Sequence, residues 1–138
     1  MEGIRYLDPA TVAVGKGLFS QAVDIDLSTK RRLILISGQV AWDERGEVIG
    51  PGDLRAQFAQ VYRNLQRVMA AAGGSMKDIV SLRTYLTDPS LLTQFVAARN
   101  EMYGRLFPSG RYPTNTLLVI SALAEPGLLL EVEAIAAL

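Results

Sequence analysis

The sequence predicts an α+β domain, a mostly antiparallel sheet with two helices packed on one face. Three observations lead there. Two long segments, one opening at Leu54 and one at Pro89, repeat apolar residues at helical spacing. The segments around them are short, rich in Val, Ile, Leu and Thr, and separated by Gly and Pro. The chain has 138 residues, which suits a single domain, 1–138, and leaves little room for a second.

The elements follow in order. Phe19 to Ile25 alternates loosely and reads as a strand, with room for a further strand ahead of it. Arg31 to Val40 reads as another. Its run Leu33 to Ile36 is apolar at every position, so both faces of that strand are expected to be covered. Gly46 and Gly50-Pro51-Gly52 mark turns. Asp53 is suited to cap a helix. After it Leu54, Phe58, Val61, Tyr62, Leu65, Val68, Met69 and Ala72 form an apolar stripe, and Gly73-Gly74 stops the helix. Val80, Leu82, Thr84 and Leu86 share one face of a strand. Asp88-Pro89 opens the second helix, and Leu91, Leu92, Phe95, Val96, Met102, Tyr103, Leu106 and Phe107 are its stripe. Pro108 ends it. Asn115 to Ala122 and Leu128 to Ala136 are the last two strands, joined by a turn at Glu125-Pro126-Gly127. Helices connected this way fall on one face of the sheet. The other face, apolar at Leu33 to Ile36 and Leu117 to Ile120, needs a cover. A second copy of the chain is the simplest one.

Composition excludes several chemistries. Hydrophobic residues make up 49% of the chain and charged residues 20%, enough for a real core. Lys plus Arg and Asp plus Glu are both 14, so the chain lacks the basic footprint of a nucleic-acid binder. No apolar run reaches the ~20 residues of a membrane span. Met1 to Pro9 lacks the apolar stretch of a signal peptide, and a cytoplasmic location is expected. There is no Cys and no His. That removes disulfides, thiol nucleophiles, Cys/His zinc sites and Ser-His-Asp triads. A general base must be a carboxylate, Lys, Tyr or an oriented water. No clustered acidic loop suggests an oxygen-ligated metal, so no metal is expected.

Several blocks resemble one family. Gly17-Leu18-Phe19-Ser20-Gln21-Ala22-Val23, Ile36-Ser37-Gly38-Gln39-Val40, Asn64-Leu65 with Ala71-Ala72-Gly73, Asn100-Glu101-Met102-Tyr103 with Phe107, and Glu131-Val132-Glu133-Ala134-Ile135-Ala136 stand in the order and spacing of YjgF/RidA (reactive-intermediate deaminase) proteins. The resemblance covers nearly the whole chain. It implies a chorismate-mutase-like fold, a homotrimer with clefts between subunits, and cofactor-free hydrolysis of enamines and imines to keto acids and ammonia. It also implies that Glu131 positions a water and that Ser37, Gly38, Gln39, Asn100 and the residue at position 19 shape the pocket for a small-molecule ligand.

The chain departs from that pattern where the family's P-A-R-S-like loop clamps a substrate carboxylate. Here the loop reads Tyr112-Pro113-Thr114-Asn115-Thr116, so Asn115 stands at the arginine position, and Phe19 replaces the family's tyrosine. An amide lacks the charge and the planar fork that Arg offers a carboxylate. Either the ligand is altered or another cation reaches in. Arg111, in the same loop, and Lys16 are the nearest candidates, although both also fit ordinary exposed loop positions. Glu131 likewise fits a solvent-facing strand position beside Glu133, and Ser37-Gly38-Gln39 fits a bulge. The sequence therefore supports an enamine/imine-type hydrolase with an altered substrate, or a ligand-binding or accessory relative that has kept the cleft without catalysis.

Overall fold

A computed structural model of the chain describes residues 2–13 and 17–138. Strands β1 (Ile4–Leu7) and β2 (Ala22–Ile25) form an antiparallel pair. Then come β3 (Leu33–Val40), helix α1 (Leu54–Ala71), β4 (Ile79–Leu86), helix α2 (Leu92–Leu106), β5 (Thr114–Val119) and β6 (Leu130–Ala137). The main sheet has the order β3-β6-β4-β5. Its β3–β6 and β4–β6 pairs are antiparallel and its β4–β5 pair is parallel. This is the α+β arrangement that the sequence predicts.

Several boundaries differ from expectation. The strand predicted over Phe19 to Ile25 begins only at Ala22, because its partner β1 ends at Leu7 before Asp8-Pro9. Ser20 is instead held by the loop ahead of β5: its N–H donates to Pro113 O (3.2 Å) and its hydroxyl to Tyr112 O (2.7 Å). The second helix opens with a 3-10 turn at Pro89–Leu91, where the Asp88 side chain accepts from Ser90 N. The strand expected to run to Ala122 ends at Val119, after which Ile120 N donates to Leu86 O (2.8 Å).

Alternation along β6 determines the layers. Leu130, Val132, Ala134 and Ala136 are buried in the main core with Leu54, Phe58, Val61, Leu65 and Met69 of α1 and Phe95 of α2. Each large apolar side chain buried this way contributes about 1.5–3 kcal/mol. The intervening Glu131, Glu133 and Ile135 point to the other face. Among the described residues no helix packs there, and β1 and β2 cover only its end at Val80 and Ala137. Leu35 is 76% exposed, with Leu33, Leu118 and Ile135 exposed as well. The cover expected for both faces of Leu33 to Ile36 is thus present on one face within a single chain. The patch left open is of the kind that marks an interaction surface.

Polar groups inside the core are closely matched. Gln57, on α1 and fully buried, donates through Nε2 to Gly50 O (3.1 Å) and Gly127 O (2.7 Å) and accepts through Oε1 from Leu129 N (2.8 Å). One side chain therefore ties α1 to the loops before α1 and before β6. Asn64 donates to Val40 O and Trp42 O, both at 3.0 Å, and fixes the end of β3. Replacing Gln57 with Leu leaves an N–H and two carbonyls without this partner. Orphaned groups cost roughly 1–3 kcal/mol each, partly relieved by water. Gln57→Leu should therefore lose about 2–4 kcal/mol, read as a lower urea midpoint at unchanged slope and fixed protein concentration.

Candidate functional site

The β3–β6 pairing carries the first half of the candidate site. Its register runs Ile36 opposite Ala134 and then Gln39 opposite Val132, so β3 holds one residue more than β6 at Ser37-Gly38. This is a β-bulge. It re-aims the strand end and opens space above Gly38, which the Glu131 side chain fills. A Cβ at position 38 would lie 2.6 Å from Glu131 Cδ and 2.9 Å from Cγ, so glycine is the residue that lets this carboxyl lie against the bulge. Ser37-Gly38-Gln39 is thus the bulge that its sequence also fits, and the Glu131 side chain lies against it.

Electrostatics separate the two glutamates. Glu133 Oε1 accepts from Arg83 Nη1 (2.8 Å) and from the Tyr85 hydroxyl (2.9 Å). Glu131 has no such partner among the described residues. Partial burial, reinforced by the neighbouring Glu133, raises its pKa above the ordinary carboxylate value. One carboxylate is held by a guanidinium and a phenol hydroxyl. The other lies against the bulge with no such partner among the described residues.

Depressions flank the bulge on both sides. One of about 350 Å³ lies on the open sheet face between Leu35, Ser37, Ser81, Arg83, Thr116, Glu133 and Ile135. The other, about 360 Å³, lies between Gly38, Gln39, Trp42, Asp43, Asn64 and Arg67. Trp42 donates from Nε1 to Glu125 (2.8 Å). Glu131 is in the wall of neither.

The remaining candidates do not join Glu131 within one chain. Asn115 sits opposite Leu82 in the parallel β4–β5 register, on the helix side of the sheet. Its Oδ1 accepts from the buried Thr84 hydroxyl (2.9 Å), so one end of the amide is already engaged. Asn100 is exposed on α2. Phe19 is half-buried just ahead of the docked Ser20. Arg111, named as a replacement cation, lies with its guanidinium 5.9 Å from the Tyr6 ring centroid, drawn to β1 by the aromatic face. Lys16 lies outside the described residues. Among the described residues no three acidic side chains converge as a metal would require, and no helix is long and apolar enough to cross a membrane.

A residue missed in the sequence stands among these candidates. Arg99 is buried on α2, one position before Asn100, with its Nε lacking any hydrogen-bond partner. The sequence did carry a signal for it. Arg99 lies four residues after Phe95 and four before Tyr103, inside the apolar stripe, where a cation is out of place.

Comparison with known proteins bears on what this fold and bulge belong to. The family model described as Endoribonuclease L-PSP matches residues 11–138. Protein DfrA of Myxococcus xanthus is 36% identical over 131 residues, covering 95% of this chain and 92% of that protein. The chain belongs to the YjgF/RidA family. The Rid family protein YyfB of Yersinia pestis is 36% identical and superposes with a TM-score of 0.84 over 99% of both chains. The structure of E. coli TdcF with bound serine is 25% identical, with a TM-score of 0.68 over 91% of both chains. These relatives share the fold that the Rid resemblance implies.

The seat of Glu131 gives a pH-dependent expectation. A carboxyl whose folded pKa is raised favours folding when protonated, and that advantage is lost as pH rises through the folded pKa. Glu131→Gln should therefore melt above the unmodified protein at pH 7, with the difference closing as pH falls below the ordinary carboxylate range. A constant difference across that range would contradict the assigned environment. Gly38→Ala should displace the Glu131 carboxyl and remove the pH-dependent part.

Proposed function

We propose that the protein is a cofactor-free hydrolase of enamine or imine metabolites, working as a homotrimer in the cytoplasm on a substrate that differs from that of arginine-containing Rid proteins. The observation that carries this is the Glu131 carboxyl seated over Gly38 with its pKa raised. An imine carbon is already electrophilic, so hydrolysis asks mainly for a held water and a route for protons. Glu131 takes a proton from water as its oxygen bonds to the imine carbon. It returns that proton to nitrogen, giving a carbinolamine; it then takes the carbinolamine hydroxyl proton and delivers it to nitrogen as the C=O forms and the C–N bond breaks, so that a carbonyl compound and ammonia leave. None of these steps requires Cys, His or a metal.

Glu131 and Asn115 lie on opposite faces of one sheet. A site that uses both is best made between copies, with the exposed apolar face at Leu33, Leu35 and Ile135 as the contact. Ser37, Gly38, Gln39, Phe19, Asn100 and Asn115 are its proposed lining. The bound serine of the TdcF structure supports a small amino-acid-like ligand. The engaged Asn115 amide favours a second reading, in which the cleft binds a ligand without turning it over.

The test generates imines in situ with an amino-acid oxidase from a panel of amino acids and follows their decay. Faster decay of at least one imine is expected, with a loss of about 100-fold or more in Glu131→Gln. No acceleration across the panel would overturn the hydrolase reading. Ligand-dependent melting without turnover would then favour the binding protein.

A further inference from the structure

Arg99 lies 7% exposed. Its guanidinium carbon is 5.8 Å from the Phe95 ring centroid. On its other side is the backbone of Gly17, where an added Cβ would lie 2.8 Å from Nη1 and 3.2 Å from Nη2. None of the ion pairs among the described residues includes it. The nearby acidic protons belong to tyrosines. The Tyr62 and Tyr103 hydroxyls share a 2.8 Å hydrogen bond. Burial pushes the Tyr103 hydroxyl up to about 12, with the Tyr62 hydrogen bond and the Arg99 charge pulling against it. Both phenols are therefore neutral at neutral pH and supply no counter-charge.

A desolvated guanidinium without an anion is costly, and folds keep such a group where an anion completes it. Position decides which anion. Arg99 precedes Asn100 on α2 and touches Gly17, two residues from Phe19. The 17–20 segment is fastened through Ser20 to Tyr112 and Pro113, immediately before Asn115. Arg99 thus lies beside the Gly17–Ser20 segment and one position before Asn100 on α2.

We infer that Arg99 is the anion-binding residue of the cleft, and that it receives the carboxylate of a small 2-oxo or 2-imino acid between α2 and the Gly17–Ser20 segment. This rests on the proposed cleft, and it moves the charged contact from the β5 position held by Asn115 to the neighbouring helix. A carboxylate seated there needs a hydrogen-bond donor that lacks a partner, which Arg99 Nε supplies. A side chain at Gly17 would push the guanidinium aside, so the present Arg99 position depends on that glycine.

The test titrates the full-length protein with pyruvate and, separately, with pyruvamide, its neutral isostere, by calorimetry. Pyruvate should bind and pyruvamide should bind at least about 30-fold more weakly, the lower end of the loss expected when a desolvated charge pair is broken. Arg99→Met should lose pyruvate binding to a similar degree. Arg99→Lys should retain part of it, since the charge stays and the fork is lost. The comparison of the two ligands on unmodified protein stands even if Arg99→Met fails to fold. No pyruvate binding, equal binding of pyruvamide, or unchanged binding in a folded Arg99→Met would each overturn the assignment. Binding through Arg99 with no imine turnover would sink the hydrolase reading alone. Imine turnover that is indifferent to Arg99→Met and Arg99→Lys would sink this inference alone.

Discussion

Strand β6 lies between β3 and β4, and its strict alternation organises the molecule. Every second residue, from Leu130 to Ala136, is small or apolar and packs beneath α1 and α2. The residues between them, Glu131, Glu133 and Ile135, have no place in that core and face away from the helices. A one-residue slip would put two carboxylates into the core and four apolar side chains into water, so the register is strongly held. The same alternation that builds the core therefore also presents the chemistry. It leaves the carboxylates on a sheet face that the chain does not cover by itself.

The β-bulge at Ser37-Gly38 modifies that pattern at one point. An uninterrupted ladder would keep β3 side chains crowded against β6. The extra residue loosens the pairing, and the missing Cβ of Gly38 gives the Glu131 side chain somewhere to lie. Glu133, one turn of the pleat away, is instead fixed by Arg83 and Tyr85. Two carboxylates in one strand thus acquire different surroundings from their cross-strand neighbours. On the far side of the sheet, Asn115 is tied to Thr84 and Arg99 lies against Phe95 and Gly17. Chemistry that needs both faces needs more than one copy of the chain.

Much of the fold was legible because its signals are local. The stripe from Leu54 to Met69 and the cap at Asp53 mark α1, and the Asp88 side chain does accept from the following turn. Strand ends were less legible because they depend on partners distant in sequence. Phe19 to Gln21 has the composition of a strand, yet β1 is too short to pair with it, and the loop at Tyr112-Pro113 takes Ser20 instead. The site divides in the same way. Ser37-Gly38-Gln39 and Glu131 stood out as motifs and meet across one ladder. Asn115 was visible as a departure, but its bond to Thr84 follows from the parallel register of β4 and β5, which no local pattern announces. Arg111 is the nearest loop cation in sequence, and its guanidinium lies over the Tyr6 ring, a contact no local pattern announces. Arg99 carries its signal as a charge inside an apolar stripe, which local polar motifs do not mark.

Everything proposed for the site depends on the open sheet face meeting another copy. Leu33, Leu35 and Ile135 are exposed at the strands that carry the bulge and the glutamates. Light scattering coupled to gel filtration at micromolar concentration measures this directly. Three copies of the 15.0 kDa chain give a mass of about 45 kDa, and Leu35→Arg should shift it toward the single-chain value. A unmodified protein that elutes as a stable 15.0 kDa monomer would contradict the shared site.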